Sequence, residues 1–305
     1  PLLFNIFLND VFLFTEEANI ANYADDNTLH STADSYQKLL EILENETTMV
    51  VNWFHSNELK LNIDKCHMII PNHLNTFLNL GEKNIISCDS VNLLGINIDH
   101  KLNFNGHVEK LCKKGNQKLR ALARISRFMT KDKLRVIMKA FIDSQFNYCP
   151  LIWMFHSRNL NNRINRLHKR ALKIAYNNYN STFVELLLLD KSVSIHDRNL
   201  KKLATEMFKI KNKISPLLIQ NLFKNYSSKY DLRNNRCWEM YNINTVNYGM
   251  ETILFRGPKI WDLLPAKIKE SSSLVEFKLK IKSWKPKGCT CRLCKIYIHD
   301  LGFLY

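Results

Sequence analysis

Glycine and proline are scarce in this chain, with only 8 and 7 of them in 305 residues. Average usage is about 7% and 5%, so few positions interrupt a helix and the sequence favours long helices. Long apolar runs are also missing, since no stretch approaches the roughly 18 residues that read as a membrane-spanning helix. The 46% hydrophobic and 11% aromatic content still suffices for buried cores and excludes wholesale disorder.

The first residues carry no recognisable secretory signal. The chain opens on Pro1 within an apolar run that lacks a basic start and a small-residue cleavage site, and Asn5, Asn9 and Asp10 interrupt it. We therefore expect residues 2–14 to form the end of a buried helix. An opening inside such a run also leads us to expect a fragment of a longer protein.

Acidic residues are few in the C-terminal two thirds of the chain. Residues 1–100 hold 4 Lys and Arg against 14 Asp and Glu, a net charge of −10, whereas residues 101–305 hold 40 against 14, a net charge of +26. This division suits a protein that binds cations in one part and a polyanion in the other. A solvated basic surface without a partner is the alternative interpretation.

Residues 20–54 predict a β-hairpin followed by a helix. Two short apolar arms flank Tyr23-Ala24-Asp25-Asp26, whose polar centre is typical of a turn. A helix capped by Asp34 or Ser35 then runs to about Phe54, with apolar residues at helical spacing. By default, adjacent aspartates in a turn form a solvated surface loop, so the flanking segments decide whether the pair carries chemistry.

The remaining sequence predicts an α+β domain followed by helical regions. Strands are expected at 66–70 and 91–99, and the α+β domain is expected to end near 105. Weaker boundaries near 180 and 283 divide the rest into 106–180, which is helical, 181–283, which is helical or mixed, and 284–305, a Cys-rich basic tail. A break at Pro216 is expected within the basic helical stretch 197–224.

Two of the predicted helices carry basic stripes. In 107–131 and 160–175, an apolar stripe at helical spacing lies beside a stripe of Lys and Arg with almost no carboxylates. Such stripes are either solvated faces or contacts to a phosphate backbone. The candidates for backbone contact are Lys110, Lys113, Arg120, Arg124, Arg127, Arg163, Arg166 and Arg170.

Eight cysteines divide into five scattered ones and a C-terminal cluster. Without a secretory signal the scattered ones are expected to be reduced thiols. The cluster Cys289, Cys291 and Cys294, with His299, offers four ligands within eleven residues, and Cys₃His is a common structural zinc set. The Cys-x-Cys-x₂-Cys spacing is not the usual knuckle, so a zinc site and reduced thiols remain the two interpretations.

The tetrad and its surroundings resemble the reverse transcriptase family. Pro1–Asp10 resembles the end of the helical motif that precedes the family's catalytic hairpin, and Trp53–Ile70 resembles the segment that follows it. Leu93–Phe104 is similar to the strand that grips the primer near the thumb. The order and spacings are similar to those of non-LTR retrotransposons, jockey-like elements especially. Further resemblance to the C-terminal region of that group lies in Gly257–Pro265 and in Phe277-Lys278.

The resemblance implies an RNA-directed DNA polymerase that transfers nucleotides with two Mg²⁺ ions. It makes 1–105 a partial palm and 106–180 a thumb-like domain. Asp25 and Asp26 match metal-binding aspartates, and Tyr23 matches a residue that touches the primer terminus or the incoming nucleotide. Lys65 matches a lysine proposed to protonate pyrophosphate, with a solvated lysine as the alternative. Gly95 would let the primer backbone approach closely, and a β-bulge is compatible with that role.

The resemblance also implies an RNA template, a DNA primer and dNTPs as partners, in the cytoplasm and nucleus and away from membranes. The family's first catalytic aspartate and its fingers are expected upstream of Pro1, in the parent polyprotein, so we expect this chain alone not to polymerise. The alternative is a non-catalytic basic RNA- or DNA-binding protein derived from a decayed or repurposed element. A purely structural helical protein, in which the tetrad is accidental, is the third hypothesis.

Overall fold

The computed structural model describes residues 2–80, 83–226, 237–243, 245 and 249–294. The chain divides into an N-terminal unit, Pro1–Leu102, and a C-terminal unit, Asn103–Tyr305. Helices and two-stranded antiparallel sheets make up the described elements, which confirms the predicted α+β class. Within these ranges, every helix is too short or too polar to cross a bilayer.

In the N-terminal unit, one long helix follows the first of three β-hairpins and precedes the other two. The helices and strands are α1 (Leu2–Leu8), β1 (Asn19–Tyr23), β2 (Asp26–His30), α2 (Tyr36–Ser56), β3 (Phe77–Asn79), β4 (Asn84–Ile86), β5 (Ser90–Leu93) and β6 (Ile96–Asp99), with short 3₁₀ helices at Asn9–Leu13 and Ile63–Lys65. Each hairpin pairs only with itself, in the orders β1-β2, β3-β4 and β5-β6.

Helix α2 is the support of this unit. The side chain of Ser35 accepts the backbone N–H of Lys38 at 3.2 Å, an N-cap that fixes the start of the helix. Toward its C-terminal end, Trp53 packs with Leu8 and Val11 in one small core. A second small core, against β3 and β4, takes partly buried leucines from the first turns of the same helix. The predicted hairpin and helix over residues 20–54 are confirmed.

The expectation of a buried helix over residues 2–14 is only half right. The segment is helical, as α1 and the 3₁₀ helix after it, but most of its apolar side chains face outward. Leu2 is 72% exposed, Leu3 82% and Leu13 79%, whereas Leu8 and Val11 are buried. The apolar run therefore leaves a large hydrophobic surface open, because the N-terminal unit itself covers only one side of it.

The predictions of a strand at 66–70 and of a single strand at 91–99 are both wrong. In the described structure, residues 66–70 form only isolated bridges, from Met68 to Ser87 and from Ile70 to His73, because the chain turns directly after them at Pro71 and Asn72. Residues 91–99 fold into the β5–β6 hairpin instead of one strand. Leu94 and Gly95 adopt φ values of +46° and +83°, and two consecutive residues of positive φ reverse the chain in a tight hairpin turn.

The described elements of the C-terminal unit are helical. They are α3 (Asn105–Ile125), α4 (Lys131–Phe141), α5 (Pro150–Trp153), α6 (Arg158–Tyr176), α7 (Phe183–Asp190), α8 (Ile195–Lys211), α9 (Leu217–Asn221), α10 (Ile253–Asp262), α11 (Ala266–Lys269) and α12 (Leu274–Lys280), with short 3₁₀ helices at Ser126–Phe128 and Asp143–Asn147. Pro216 ends the basic stretch as the N-cap of α9, so the predicted break is confirmed.

Two packing centres organise these helices. Helix α3 lies close against α6, where the Cα of Gly115 approaches so closely that an added Cβ would lie 2.6 Å from Leu167 Cδ1. In the second centre Phe277 stacks on Phe208 at 4.4 Å and lies 6.2 Å from Trp261. That second centre gives the block Gly257–Pro265 a structural role, because its tryptophan is 1% exposed within a core shared by α8, α10 and α12.

Candidate functional site

The tetrad occupies the tip of the first hairpin. Tyr23 ends β1 and pairs with Asp26 at the start of β2, so Ala24 and Asp25 form the two-residue turn. Ala24 has a φ of +56°, and Asn22 Nδ2 donates to an Asn27 side-chain oxygen at 2.6 Å across the strands. Asp25, Asp26 and Tyr23 are all exposed, Tyr23 by 67%. The hairpin thus presents two carboxylates and an aromatic ring together.

This donor set fits a divalent hard cation. Mg²⁺ prefers oxygen ligands and keeps several of its waters, so a few carboxylates on a rigid turn suffice to hold it. Asp25 and Asp26 offer adjacent carboxylates on such a turn, both open to solvent and thus to a nucleotide.

The base of the hairpin is anchored by a residue that the motif did not indicate. Glu46 is 3% exposed on α2, and its carboxylate accepts the backbone N–H of Glu17 at 2.8 Å and that of Glu16 at 3.2 Å. Ser31 Oγ donates to the backbone oxygen of Glu17 at 3.0 Å, which ties the end of the hairpin to the same segment. The sequence did carry a signal for the role of Glu46. This carboxylate follows Ile42 at helical spacing and therefore lies on the apolar face of the helix.

The other predicted site residues lie on separate elements of this unit. Lys65 ends the 3₁₀ helix Ile63–Lys65 and is exposed; in the described part of the chain, no hydrogen bond or ion pair joins it to Asp25 or Asp26. Gly95 sits in the β5–β6 turn rather than in a bulge. The main reason for a glycine at this position is its positive φ, which a residue without a Cβ adopts without steric strain.

All eight predicted backbone-contacting residues are exposed on α3, on the 3₁₀ helix that follows it, or on α6. We call Lys110, Lys113, Arg120, Arg124, Arg127, Arg163, Arg166 and Arg170 the basic surface. Arg163 forms a 3.4 Å ion pair with Glu109, which joins the two helices at this face. Arg127 lies 5.7 Å from the ring centre of Phe128, which is 79% exposed. An exposed ring beside guanidinium groups is suited to stacking on bases.

The C-terminal cysteines meet a histidine from a distant helix. His196 in the first turn of α8 places Nε2 at 3.4 Å from Cys291 Sγ and 3.3 Å from Cys294 Sγ. Cys289 and Cys291 are buried and Cys294 is half-buried. Thiol hydrogen bonds from Cys291 and Cys294 hold the pKa of Cys289 well below its ordinary value. The predicted ligand His299 lies outside the described residues.

A second histidine lies beside this cluster. His156 is 3% exposed, and burial lowers its pKa to about 4. Its Nδ1 is 3.0 Å from the backbone oxygen of Trp153, whereas Nε2 is buried with no hydrogen-bond partner in the described structure. Neither His156 nor His196 could be linked to the cysteines by spacing, because both are more than ninety positions away in the chain.

Comparison with known protein families gives a match in the first third of the chain. Residues 1–98 match the family model described as Reverse transcriptase (RNA-dependent DNA polymerase). That segment contains the aspartate hairpin, α2 and the β5–β6 turn, and it ends within β6. No curated protein and no solved structure gave a significant match. Residues 1–98, about a third of the chain, are thus similar to the reverse transcriptase family, and the two aspartates of the hairpin tip lie within the matched segment.

Proposed function

We propose that this chain forms the aspartate hairpin and the thumb of an RNA-directed DNA polymerase from a non-LTR retrotransposon of the jockey type. The observation that carries this proposal is the exposed pair Asp25 and Asp26 on a tight hairpin within the matched segment. In such enzymes, bound Mg²⁺ ions stabilise the attacking and leaving oxygens of phosphoryl transfer. Asp25 and Asp26 supply carboxylate ligands for those ions.

Three other residues have roles around the aspartates in this proposal. Tyr23 offers its exposed ring to the primer terminus or the incoming nucleotide. Lys65 donates a proton to the departing pyrophosphate, for which its exposed ammonium is suited. Gly95 lets the primer backbone approach the β5–β6 turn, because a turn without a Cβ at that position exposes its peptide groups.

The exposed apolar side chains of α1 and of the 3₁₀ helix after it fit a partner within the parent polyprotein. Leu2, Leu3, Ile6 and Leu13 are each at least 60% exposed, and contiguous apolar surface of this kind marks an interaction site. In this proposal, an upstream palm and fingers portion covers this apolar surface. The same portion also supplies a further catalytic carboxylate. An RNA template, a DNA primer and dNTPs complete the set of partners.

The basic surface binds the phosphates of the template–primer duplex in this proposal. Seven exposed cations on the packed helices α3 and α6 and one on the 3₁₀ helix after α3, in a part of the sequence with a net charge of +26, supply the counterion release that drives such binding. The same observation favours the second candidate, a non-catalytic RNA- or DNA-binding protein, because this surface lies outside the matched segment.

Primer extension on an RNA template separates the two candidates. The 305-residue chain is assayed with Mg²⁺ or Mn²⁺, alone and together with the segment that precedes it in the parent protein. We expect extension only with that segment, and its loss in Asp25→Asn, while duplex binding persists. Extension that survives Asp25→Asn would refute the role of the hairpin. Binding without extension in every combination would favour the non-catalytic candidate.

A further inference from the structure

Sulfur and nitrogen atoms converge in the C-terminal unit, far from the aspartate hairpin in the sequence. The ligand atoms of His196, Cys291 and Cys294 all lie within 4.8 Å of one another. In a tetrahedral zinc site, with Zn–N about 2.0 Å and Zn–S about 2.3 Å, a nitrogen and a sulfur ligand are separated by about 3.5 Å. The observed distances of 3.3 and 3.4 Å are close to that value.

Ordinary hydrogen bonding does not account for this arrangement. An imidazole Nε2 carries either one proton or one lone pair, so it forms one good hydrogen bond, yet two sulfurs lie at nearly equal distances from His196 Nε2. The backbone N–H of Cys294 also donates to Cys291 Sγ at 3.4 Å, so this sulfur has both a backbone donor and the imidazole beside it. A cation between the three groups satisfies all of them.

The fourth ligand is Cys289. Its side chain is 3% exposed and lies two residues before Cys291 in the chain, outside the set of three ligand atoms that lie within 4.8 Å of one another, so a rotation of its side chain must bring the sulfur to the ion. Three cysteines are thus gathered by one short Cys-x-Cys-x₂-Cys segment, and His196 closes the set from α8. Cysteines that are not joined in a disulfide are the usual donors of a structural zinc site.

A second buried imidazole, that of His156, is the alternative candidate for the fourth position. His156 Nδ1 must carry the ring proton, because it faces the carbonyl oxygen of Trp153 at 3.0 Å. Its Nε2 therefore presents a lone pair, which is buried and has no hydrogen-bond partner in the described structure. This imidazole interacts electrostatically with both His196 and Cys291. This unpartnered lone pair makes His156 the alternative to Cys289 as the fourth ligand, and the variants described below distinguish the two.

We propose that Cys289, Cys291, Cys294 and His196 bind one Zn²⁺ ion in a tetrahedral Cys₃His site that fastens the C-terminal tail to α8. The cysteines bind as thiolates and release their protons to solvent, and the histidine binds through Nε2. The histidine of the set is thus taken from α8, 95 residues before Cys291, rather than from His299. The role is structural, because every position around the ion is filled by a protein ligand.

Metal analysis of the purified 305-residue chain tests the site. We expect about one zinc per chain, lost in Cys291→Ser and in His196→Asn and retained in Cys149→Ser, which removes an exposed cysteine outside the cluster. Replacing zinc with Co²⁺ gives a readout that needs no variant, because tetrahedral thiolate coordination produces intense visible and near-ultraviolet absorption. Absence of both bound zinc and that spectrum in the unmodified chain overturns the proposal.

Two further variants test the fourth ligand. We expect Cys289→Ser to weaken zinc binding by 10-fold or more and to reduce the sulfur-to-cobalt charge-transfer band by about one third, because one of three thiolates is removed. His156→Gln should leave the stoichiometry and the band unchanged. Loss of zinc in His156→Gln, with full retention in Cys289→Ser, would overturn the Cys₃His set in favour of two cysteines and two histidines. Neither result depends on polymerase activity, so the proposed function is tested separately.

Discussion

The carboxylate of Glu46 accepts the backbone N–H of Glu17 at 2.8 Å, although both side chains are acidic. The contact joins α2 to the segment that enters the aspartate hairpin. Replacing Glu46 by Ala leaves the amides of residues 16 and 17 without this acceptor. The two amides belong to exposed residues and can bond to water instead, so the loss is that of a hydrogen bond to a charged group, about 1.5–3 kcal/mol.

We therefore expect Glu46→Ala to lower the stability of the N-terminal unit by about that amount and to speed amide hydrogen exchange in β1 and β2. Glu44→Ala is the matched control, because Glu44 is exposed on the same helix. Equal exchange in both variants would mean that Glu46 does not hold the hairpin. Glu46→Gln should have the smaller effect, because the amide oxygen still accepts.

Two substitutions in the β5–β6 turn should change the stability of the N-terminal unit in opposite directions. Gly95 has a φ of +83°, so Gly95→Ala should destabilise the hairpin by about 1–2 kcal/mol. Leu94 holds a φ of +46° with a side chain that is 42% exposed, and Leu94→Asn creates the Asn-Gly pair that such turns prefer. We expect Leu94→Asn to stabilise the unit in urea unfolding. A destabilisation by both variants would show that the turn is not formed as described.

Salt dependence measures the basic surface directly. Replacing Arg120 and Arg124 by Gln removes two exposed cations from α3. The slope of log K against log salt for duplex binding should fall by about 1 for each lost phosphate contact. Lys133→Gln with Lys278→Gln changes the net charge equally from exposed positions elsewhere. The proposal fails if both double variants shift the slope by the same amount.

Acid sensitivity is expected from Asp190, which is 1% exposed. Its carboxylate accepts Arg135 Nε at 2.6 Å and the hydroxyl of Tyr176 at 2.7 Å. Burial by itself raises the pKa of Asp190, but hydrogen bonds from Tyr176 and Arg135 outweigh it and hold the pKa below its ordinary value. The folded pKa thus lies below the unfolded one, so the stabilisation is complete above about pH 5 and is lost as the pH falls below 4.

Asp190→Asn should accordingly cost about 1–3 kcal/mol at pH 7 and progressively less toward pH 3. Tyr176→Phe removes only one donor and should cost about 1 kcal/mol. Denaturant unfolding at pH 7, 5 and 3 measures both. A penalty for Asp190→Asn that is constant across this range would contradict the assigned direction of the shift.

Local signals predicted much of the N-terminal unit. The hairpin tip, the Ser35 cap and the apolar spacing of α2 depend on residues within a few positions of one another, so the sequence determined them. The β5–β6 reversal was missed because Leu94 adopts a positive φ that leucine rarely takes, and apolar residues on both sides of Gly95 resembled one continuous strand. The contact of His196 with Cys294 depends on tertiary packing across 98 positions, which no local pattern records.

Helix α2 has 21 residues and a length of about 31 Å. It carries Trp53 in one small core, the leucines against β3 and β4 in the other, and Glu46 between them. A helix of this length behaves as a stiff rod, so a tilt at either end moves the other. The β3–β4 sheet and the aspartate hairpin are therefore both supported by the same helix. Repacking the sheet should shift the orientation of Asp25 and Asp26 without a substitution anywhere near them.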